Sequence, residues 1–311
     1  MRKAGTTALG HRGSFAFPVL LVICILSATL LSEELASEVK CGLRLAVGAI
    51  VPSLFPFMIF ADLITSSSGE GAGAFLKPIE RLFGISSASA RAFLIGNIAG
   101  APVSATMLSS TLEERGISRS EAERTLAISS SPSLAFAVSG VGAAMWGDTA
   151  VGLALYLSVI LASVIYGALT KVRPPAAAEQ APAVCRSFDL MASIERATFA
   201  SLRVIGTVTA FSVASGLITY FSATAHFAPF VIPLLELGNA ASYLSECELP
   251  REMALGLTAF SLGFSGLSIH LQVKGALSKS ELDYSRFFRA KLIIGILSAA
   301  IFIAVYSVAL K

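Results

Sequence analysis

Charge is scarce in this chain. Of its 311 residues only 14% are Asp, Glu, Lys or Arg, against about a quarter in an ordinary soluble domain. The net charge is +3, and no basic stretch is interleaved with aromatic residues. That excludes the usual electrostatic footprint of a nucleic-acid-binding protein. Histidine is nearly absent: His11, His226 and His270 stand far apart and form no HExxH or similar pair. The four cysteines, Cys24, Cys41, Cys185 and Cys247, are scattered, with no CxxC. Metal-ligand and disulfide chemistry are therefore not expected, and neither is a cofactor. The chain lacks a Walker motif, so any transport is expected to be coupled to an ion gradient or simply to the solute gradient. It also lacks GxSxG and GxGD, which leaves an intramembrane enzyme the weakest reading.

Apolar residues fill the space that charge leaves. They make up 55% of the chain, and the mean hydropathy is +0.76. Uncharged runs cover residues 15–31, 149–170, 204–225 and 292–310. A helix needs about 20 apolar residues to span the hydrocarbon core, and globular helices are seldom uncharged for so long. These runs predict an all-α, polytopic membrane protein in the bacterial cytoplasmic membrane. Cytoplasmic loops collect Lys and Arg, so Arg2, Lys3 and Arg12 put the N-terminus inside. No A-x-A site follows the first run, which reads as an uncleaved span, with a cleaved signal peptide as the alternative. Glu33, Glu34 and Glu38 suit the outside. A second span follows over 42–65, kinked by Pro52 and Pro56, with Asp62 a boundary residue at its end.

The stretch GNIAGAPVSA, residues 96–105, places Asn97, Gly100 and Pro102 where a span ought to continue. If residues 92–112 crossed the membrane, the basic loop 171–187 would fall outside. If they dip in and return, it stays inside, and the charge rule prefers the dip. Non-helical backbone at membrane depth is tolerated only when buried in protein or lining a cavity. A re-entrant hairpin in a transport path is one answer, and a tightly packed, kinked Gly/Ala/Ser helix is the other. A second interruption lies in the next span, where Ser129, Ser130, Ser131 and Ser133 surround Pro132. Their hydroxyls mend the kink or bind a solute.

The second half of the chain echoes the first. The boxes ISRSEAE (117–123) and LSKSELD (277–283) share S-x-S-E, a capping pattern in which Ser118 or Ser278 caps a helix and Glu121 or Glu281 reaches back. Upstream of the boxes lie GNIAGAPVSA and LGFSGLSIHLQ (262–272), and upstream again Arg44 and Arg203 open apolar runs. Three landmarks in one order predict a duplicated unit. Loop parity then makes the two copies antiparallel, the inverted plan of many secondary transporters. The expected organisation is an N-terminal span and outer loop over 1–40, a first repeat over 41–170, a cytoplasmic linker over 171–188 and a second repeat over 189–311. The second hairpin falls at about 253–275 and dips from the outside. Against this, Lys274, Lys279, Arg286, Arg289 and Lys291 would lie near the outer face. If 227–244 were a full span, that region would move inside.

These landmarks resemble a known family, the YlbJ-like sporulation integral membrane proteins, built from paired nucleoside-recognition or Gate domains. The resemblance covers about 41–305. It is carried by Ser53-Leu-Phe-Pro-Phe57, Gly100-Ala-Pro-Val103, the helix start at Ser118–Arg124, Ser131-Pro132, Glu236-Leu-Gly-Asn239 and Gly263-Phe-Ser-Gly-Leu-Ser-Ile-His-Leu-Gln272. It implies a transporter-like fold, similar to the core of concentrative nucleoside transporters, with two hairpins meeting at the midplane. For the sporulation branch it implies export of dipicolinic acid toward the forespore. The chain departs from the pattern where the family more often reads G-Y-P-x-G-A-K. Here Ala101, Ser104 and Thr106 stand at the corresponding positions, and the missing lysine removes an anion partner. The polar run before Ser-Pro is serine where the family is richer in asparagine.

The expected function is secondary transport of a small polar or anionic solute, such as a carboxylate, by alternating access. A structural or assembly role is the alternative. The solute-binding candidates are Asn97, Gly100, Ser104, Thr106, Ser130, Ser131, Asn239, Ser265, Ser268, His270 and Gln272. Glu236 and His270 are the candidates for coupling a proton or other ion, because ionisable groups at membrane depth are costly and often functional. Each has a bland counterpart: hydroxyls in helix packing, a histidine bonded to a helix end, an interfacial Glu236. Arg44 and Arg203 are expected to snorkel. The partners are the bilayer, the solute and a coupling ion, with no nucleic acid. The oligomeric state is left open.

Overall fold

The computed structural model describes residues 22, 29–67, 73–113, 116–171, 189–220, 227–276 and 282–309. Among them every regular element is helical. Five helical stretches are long and apolar enough to cross a membrane: Ser32–Leu63, Thr149–Leu169, Leu190–Tyr220, Arg251–Gly275 and Tyr284–Val308. The chain is a multi-pass membrane protein. The expected first span over 15–31, the linker 171–188 and Ser278 lie wholly or largely outside the described residues.

The first crossing joins α1 (Ser32–Leu45) through a π-helical turn, Ala46–Ile50, to α2 (Val51–Ser67). Pro52 and Pro56 cannot donate a backbone bond, and the wider turn just before Pro52 accommodates the break without ending the helix. The crossing therefore begins ten residues before the expected 42. α3 (Gly73–Phe83) then meets α4 (Ser87–Ala99) at 99° over Phe75–Phe83 and Ser87–Ala99. α5 (Ala101–Glu113) folds back on α4. Ala92 and Leu108 share one core cluster, and a Cβ on Gly96 would lie 2.4 Å from the Ser104 Cβ. Both pairs centre on Gly100, so the two helices are antiparallel. The fold-back is as the charge rule prefers.

α6 (Arg119–Ser129) ends at the serine run, and a π-helical segment, Phe136–Met145, continues beyond it. α7 (Thr149–Leu169) returns. Its Leu153, Leu157 and Leu161 are exposed and four residues apart, as a lipid-facing stripe requires, while Leu155 and Val159 are buried. Gly142 and Gly152 let the π segment and α7 touch backbone to backbone, since a Cβ on Gly142 would lie 2.6 Å from the Gly152 Cα.

α8 (Leu190–Tyr220) packs along α1, with Gly42 against Ser212 and Thr209. α9 (Ala228–Leu235) and α10 (Leu237–Glu246) follow. Ala228 and Ile232 of α9 share one small cluster with Ala240 and Tyr243 of α10. These residues flank Glu236 on both sides, and the two helices pack against each other, so α9 and α10 fold back as α4 and α5 do. α11 (Arg251–Phe264) and α12 (Gly266–Ala276), by contrast, follow one another in line as a single interrupted crossing. The last crossing, α13 (Tyr284–Ala309), runs antiparallel to them, Gly256 meeting Ile303, Gly263 meeting Ser298, and the His270 ring lying tilted against Phe287.

Polar contacts sort the helix ends into two groups. At one end, Arg124 donates to the Phe83 and Gly84 carbonyls, Glu121 accepts from the Ser86 N–H, and Glu123 accepts from Arg119, Arg286 and the Asp283 N–H. The Lys171 ammonium bonds the Arg81 carbonyl there as well. At the other end, Arg251 lies over the Trp146 ring. Two expectations change as a result. Asp283, bonded to Glu123, shares an end with the connection near 117–123, so the second hairpin is 228–246, and 253–275 crosses. The S-x-S-E boxes also do not mark equivalent points of an inverted duplication, which would lie at opposite ends. Ser118 does cap α6, accepting the Glu121 N–H at 3.2 Å, but the Glu121 side chain turns to Ser86 instead of reaching back.

Candidate functional site

Four helix interruptions converge in the interior. The first is Gly100, with φ of 105°, a region open to glycine and strained for other residues. Pro102 follows in the first turn of α5, where a missing N–H costs nothing. Gly96 makes the approach possible, because a Cβ there would also lie 2.6 Å from the Ser129 carbonyl oxygen. The second interruption is Ser130–Ser133. Ser129, Ser130, Ser131 and Ser133 are all buried, and the Ser133 hydroxyl caps the following segment by accepting the Phe136 N–H. The third is Glu236, in extended backbone. Its carboxylate accepts the Asn239 N–H at 2.6 Å and so caps α10. The fourth is Ser265-Gly266, both in left-handed backbone at φ of 74° and 59°.

Short contacts hold these four points together. The Ser265 hydroxyl donates to the Ser130 carbonyl at 3.0 Å, and the Ser104 and Ser130 hydroxyls lie 3.4 Å apart. A Cβ on Gly100 would stand 3.7 Å from the Ser133 nitrogen, and one on Gly266 would stand 3.1 Å from the Glu236 Cα. Between them is a cavity of about 40 Å³, bounded by Gly100, Pro132, Ser133, Glu236, Ser268 and Gln272 among polar and turn residues, and by Ile50, Leu54, Phe136, Val204 and Val208 among apolar ones. A space of that size holds about three waters.

The expected site residues divide by location. Gly100, Glu236, Ser268 and Gln272 line the cavity. Gln272 is also held from α8, donating to the Thr207 hydroxyl at 2.7 Å. Asn97, Ser104, Ser130, Ser131 and Ser265 form the layer behind it. Asn97 donates to the Phe93 carbonyl, and its own carbonyl accepts from the Tyr156 hydroxyl at 3.0 Å. The Asn97 Oδ1 and the Ser129 and Ser131 hydroxyls are buried without a hydrogen-bond partner among the described residues. Asn239 sits beneath Glu236, its Oδ1 accepting from Ser212.

Two candidates stand apart from the cavity. His270 is buried on the opposite side of α12, among Phe264, Phe287 and Phe288. Both ring nitrogens are engaged, Nε2 with the Phe264 carbonyl at 3.0 Å and Nδ1 with the Tyr284 hydroxyl at 2.9 Å. It serves the end of α11. Thr106 is on the outer face of α5, donating to the Pro102 carbonyl, in a shallow pocket with Asp62 and Arg196. One turn of helix separates Thr106 from the cavity residues. Arg44 and Arg203 are exposed on α1 and α8, as expected for snorkelling side chains.

The sequence reading missed Lys291. It is fully buried, and its ammonium donates to the Ser130 carbonyl at 2.8 Å. Next to Arg286 and Arg289 it reads as one more interfacial charge. The available signal is the spacing 287, 291, 294, 298, 302, a buried stripe that includes Lys291 and leaves Arg286 and Arg289 off it.

No protein-family model matches the chain, and no solved structure gives a significant match. The chain is similar to the sporulation integral membrane protein YlbJ of Bacillus subtilis (strain 168), 27% identical over 326 aligned positions that cover 88% of this chain and 78% of that protein. The likeness supports a YlbJ-like family assignment.

Proposed function

We propose that this YlbJ-like chain is a secondary transporter of a small polar or anionic solute, working by alternating access. One observation carries the reading: interruptions from both halves of the chain meet around one partly open cavity. Isolated kinks mended by serine have no reason to converge, whereas transporters place their sites where discontinuous helices meet. The order of elements supports an inverted duplication in a new register. The crossing α1–α2, the fold-back α4/α5, the interrupted crossing from α6 through Phe136–Met145, and α7 correspond to α8, α9/α10, α11–α12 and α13. The two fold-backs enter from opposite ends. In this register GNIAGAPV answers to PLLELGNA, and SSSPS answers to the FSG of 264–266.

Orientation follows from charge. The end that carries Arg81, Arg124, Lys171, Lys274, Arg286 and Arg289 is the cytoplasmic one. The opposite end carries Glu33, Glu34, Asp148, Glu246, Glu248 and Glu252. In this frame Lys274, Arg286 and Arg289, three of the basic residues that opposed the inverted plan, lie inside. The name of the Bacillus relative suggests a role in sporulation, and the family resemblance suggests dipicolinate as cargo. The cavity must widen before such a solute enters, which is the movement that alternating access supplies.

The test is uptake of labelled dipicolinate, then of a nucleoside, into proteoliposomes, comparing the wild type with Gln272→Leu. Flux of either solute that falls at least tenfold in the variant supports the reading. No flux of polar or anionic solutes from folded protein turns the reading to an assembly role.

A further inference from the structure

The strongest unassigned feature is the buried charge on α13. Lys291 has no exposed surface, and its ammonium reaches the Ser130 carbonyl at 2.8 Å. That carbonyl also accepts from Ser265 at 3.0 Å. No carboxylate lies within ion-pair distance of Lys291 among the described residues. Ser130 is the residue at which α6 ends. The carbonyls at a helix C-terminus carry partial negative charge and attract cations. In cation-coupled secondary transporters, the C-terminal ends of half-helices and their unwound carbonyls coordinate the ion. The residues on either side of Ser130 in sequence, Ser129 and Ser131, carry hydroxyls that are buried and without partners among the described residues.

A buried ammonium facing the carbonyl end of a broken helix has the charge and the location of a bound metal cation. Its chain reaches that point from the other half of the molecule, 161 residues away. The fold-back at Glu236 shows the mirror arrangement: its carboxylate occupies the N-terminus of α10, the place of an anion. We propose that Lys291 is a tethered cation, standing where a cation-coupled transporter would hold its metal ion, so that this chain works without bound Na⁺. The proposal rests on the transporter reading for its meaning, but its test does not require a solute.

The experiment is equilibrium binding of ²²Na⁺ to the full chain in detergent, with thermal unfolding in NaCl and in choline chloride. For the wild type, no saturable Na⁺ binding and equal melting temperatures in the two salts are expected. Lys291→Ala is expected to melt at lower temperature in choline chloride. Na⁺ or n-propylammonium, which replaces the deleted atoms, then restores most of the loss in a saturable way. Lys291→Met, of similar length and uncharged, is expected to be destabilised and to respond to neither ion. Saturable Na⁺ binding by the wild type overturns the proposal even if the alanine variant does not fold. Equal stability of wild type and Lys291→Met overturns it too. Na⁺-dependent flux through the wild type would sink this proposal and leave the transporter reading standing. Absence of flux with the ion results as expected would do the reverse.

Discussion

The two interrupted crossings break at adjacent points by different means. The first uses Pro132 and a run of serines, and spends four residues, 130–133, outside regular helix. The second turns on Ser265 and Gly266 alone and continues in line. Their loose carbonyls are also served differently. Phe264 is answered by His270, six residues along the same crossing. Ser130 is answered by Ser265 and Lys291, which lie 135 and 161 residues away. The second break is thus nearly self-contained, while the first is completed only when the C-terminal half packs onto it. A buried carbonyl left without a donor costs about 1–3 kcal/mol, so the first break depends on tertiary assembly in a way the second does not.

This contrast can be broken most sharply at Gly96, where the first fold-back touches both Ser104 and the end of α6. Gly96→Ala is expected to cost about 3 kcal/mol through overpacking against rigid neighbours. Thermal unfolding checks it, with Gly48→Ala as the control: nothing lies within 4 Å of a Cβ there, and that change should be neutral or slightly stabilising. A smaller effect is expected at the self-contained break. His270→Leu removes the donor to Phe264 and the partner of Tyr284, for a loss of about 2 kcal/mol. Chemical denaturation in mild detergent would read it, and flux through the cavity should be largely retained because the ring does not line it. Flux abolished by this change, with the fold intact, would put His270 back in the transport path. The smallest effect is expected at Thr106. Its hydroxyl bonds within its own helix on an exposed face, and Thr106→Val should shift stability by no more than about 0.5 kcal/mol and leave solute flux unchanged.

Much of the architecture was legible because a bilayer limits the choices. Long uncharged runs predict crossing helices, and Gly100 with Pro102 inside such a run predicts a fold-back. The second fold-back was harder to see. APFVIPLLELGN contains no glycine at its turn, since Glu236 bends the chain in extended backbone and caps the next helix itself. LGFSGLS, in contrast, looks broken in sequence yet crosses in line. Two left-handed residues in succession interrupt the hydrogen bonds here without reversing the chain, and composition does not distinguish that from a hairpin. The S-x-S-E echo misled because capping patterns recur wherever a helix starts.

The sequence by itself determined the class of molecule, the breaks at Gly100, Pro132 and Ser265-Gly266, and most of the polar groups near them. Those depend on local residue chemistry: apolar length, missing N–H groups and backbone freedom at glycine. Only the tertiary structure decided which breaks meet and which charges are buried. Lys291 and Arg289 stand two positions apart on one helix, and it is the packing of α13 against α6 and α11 that leaves one exposed and seals the other against the Ser130 carbonyl. That outcome depends on contacts more than 130 residues apart in sequence, and no local pattern carries them.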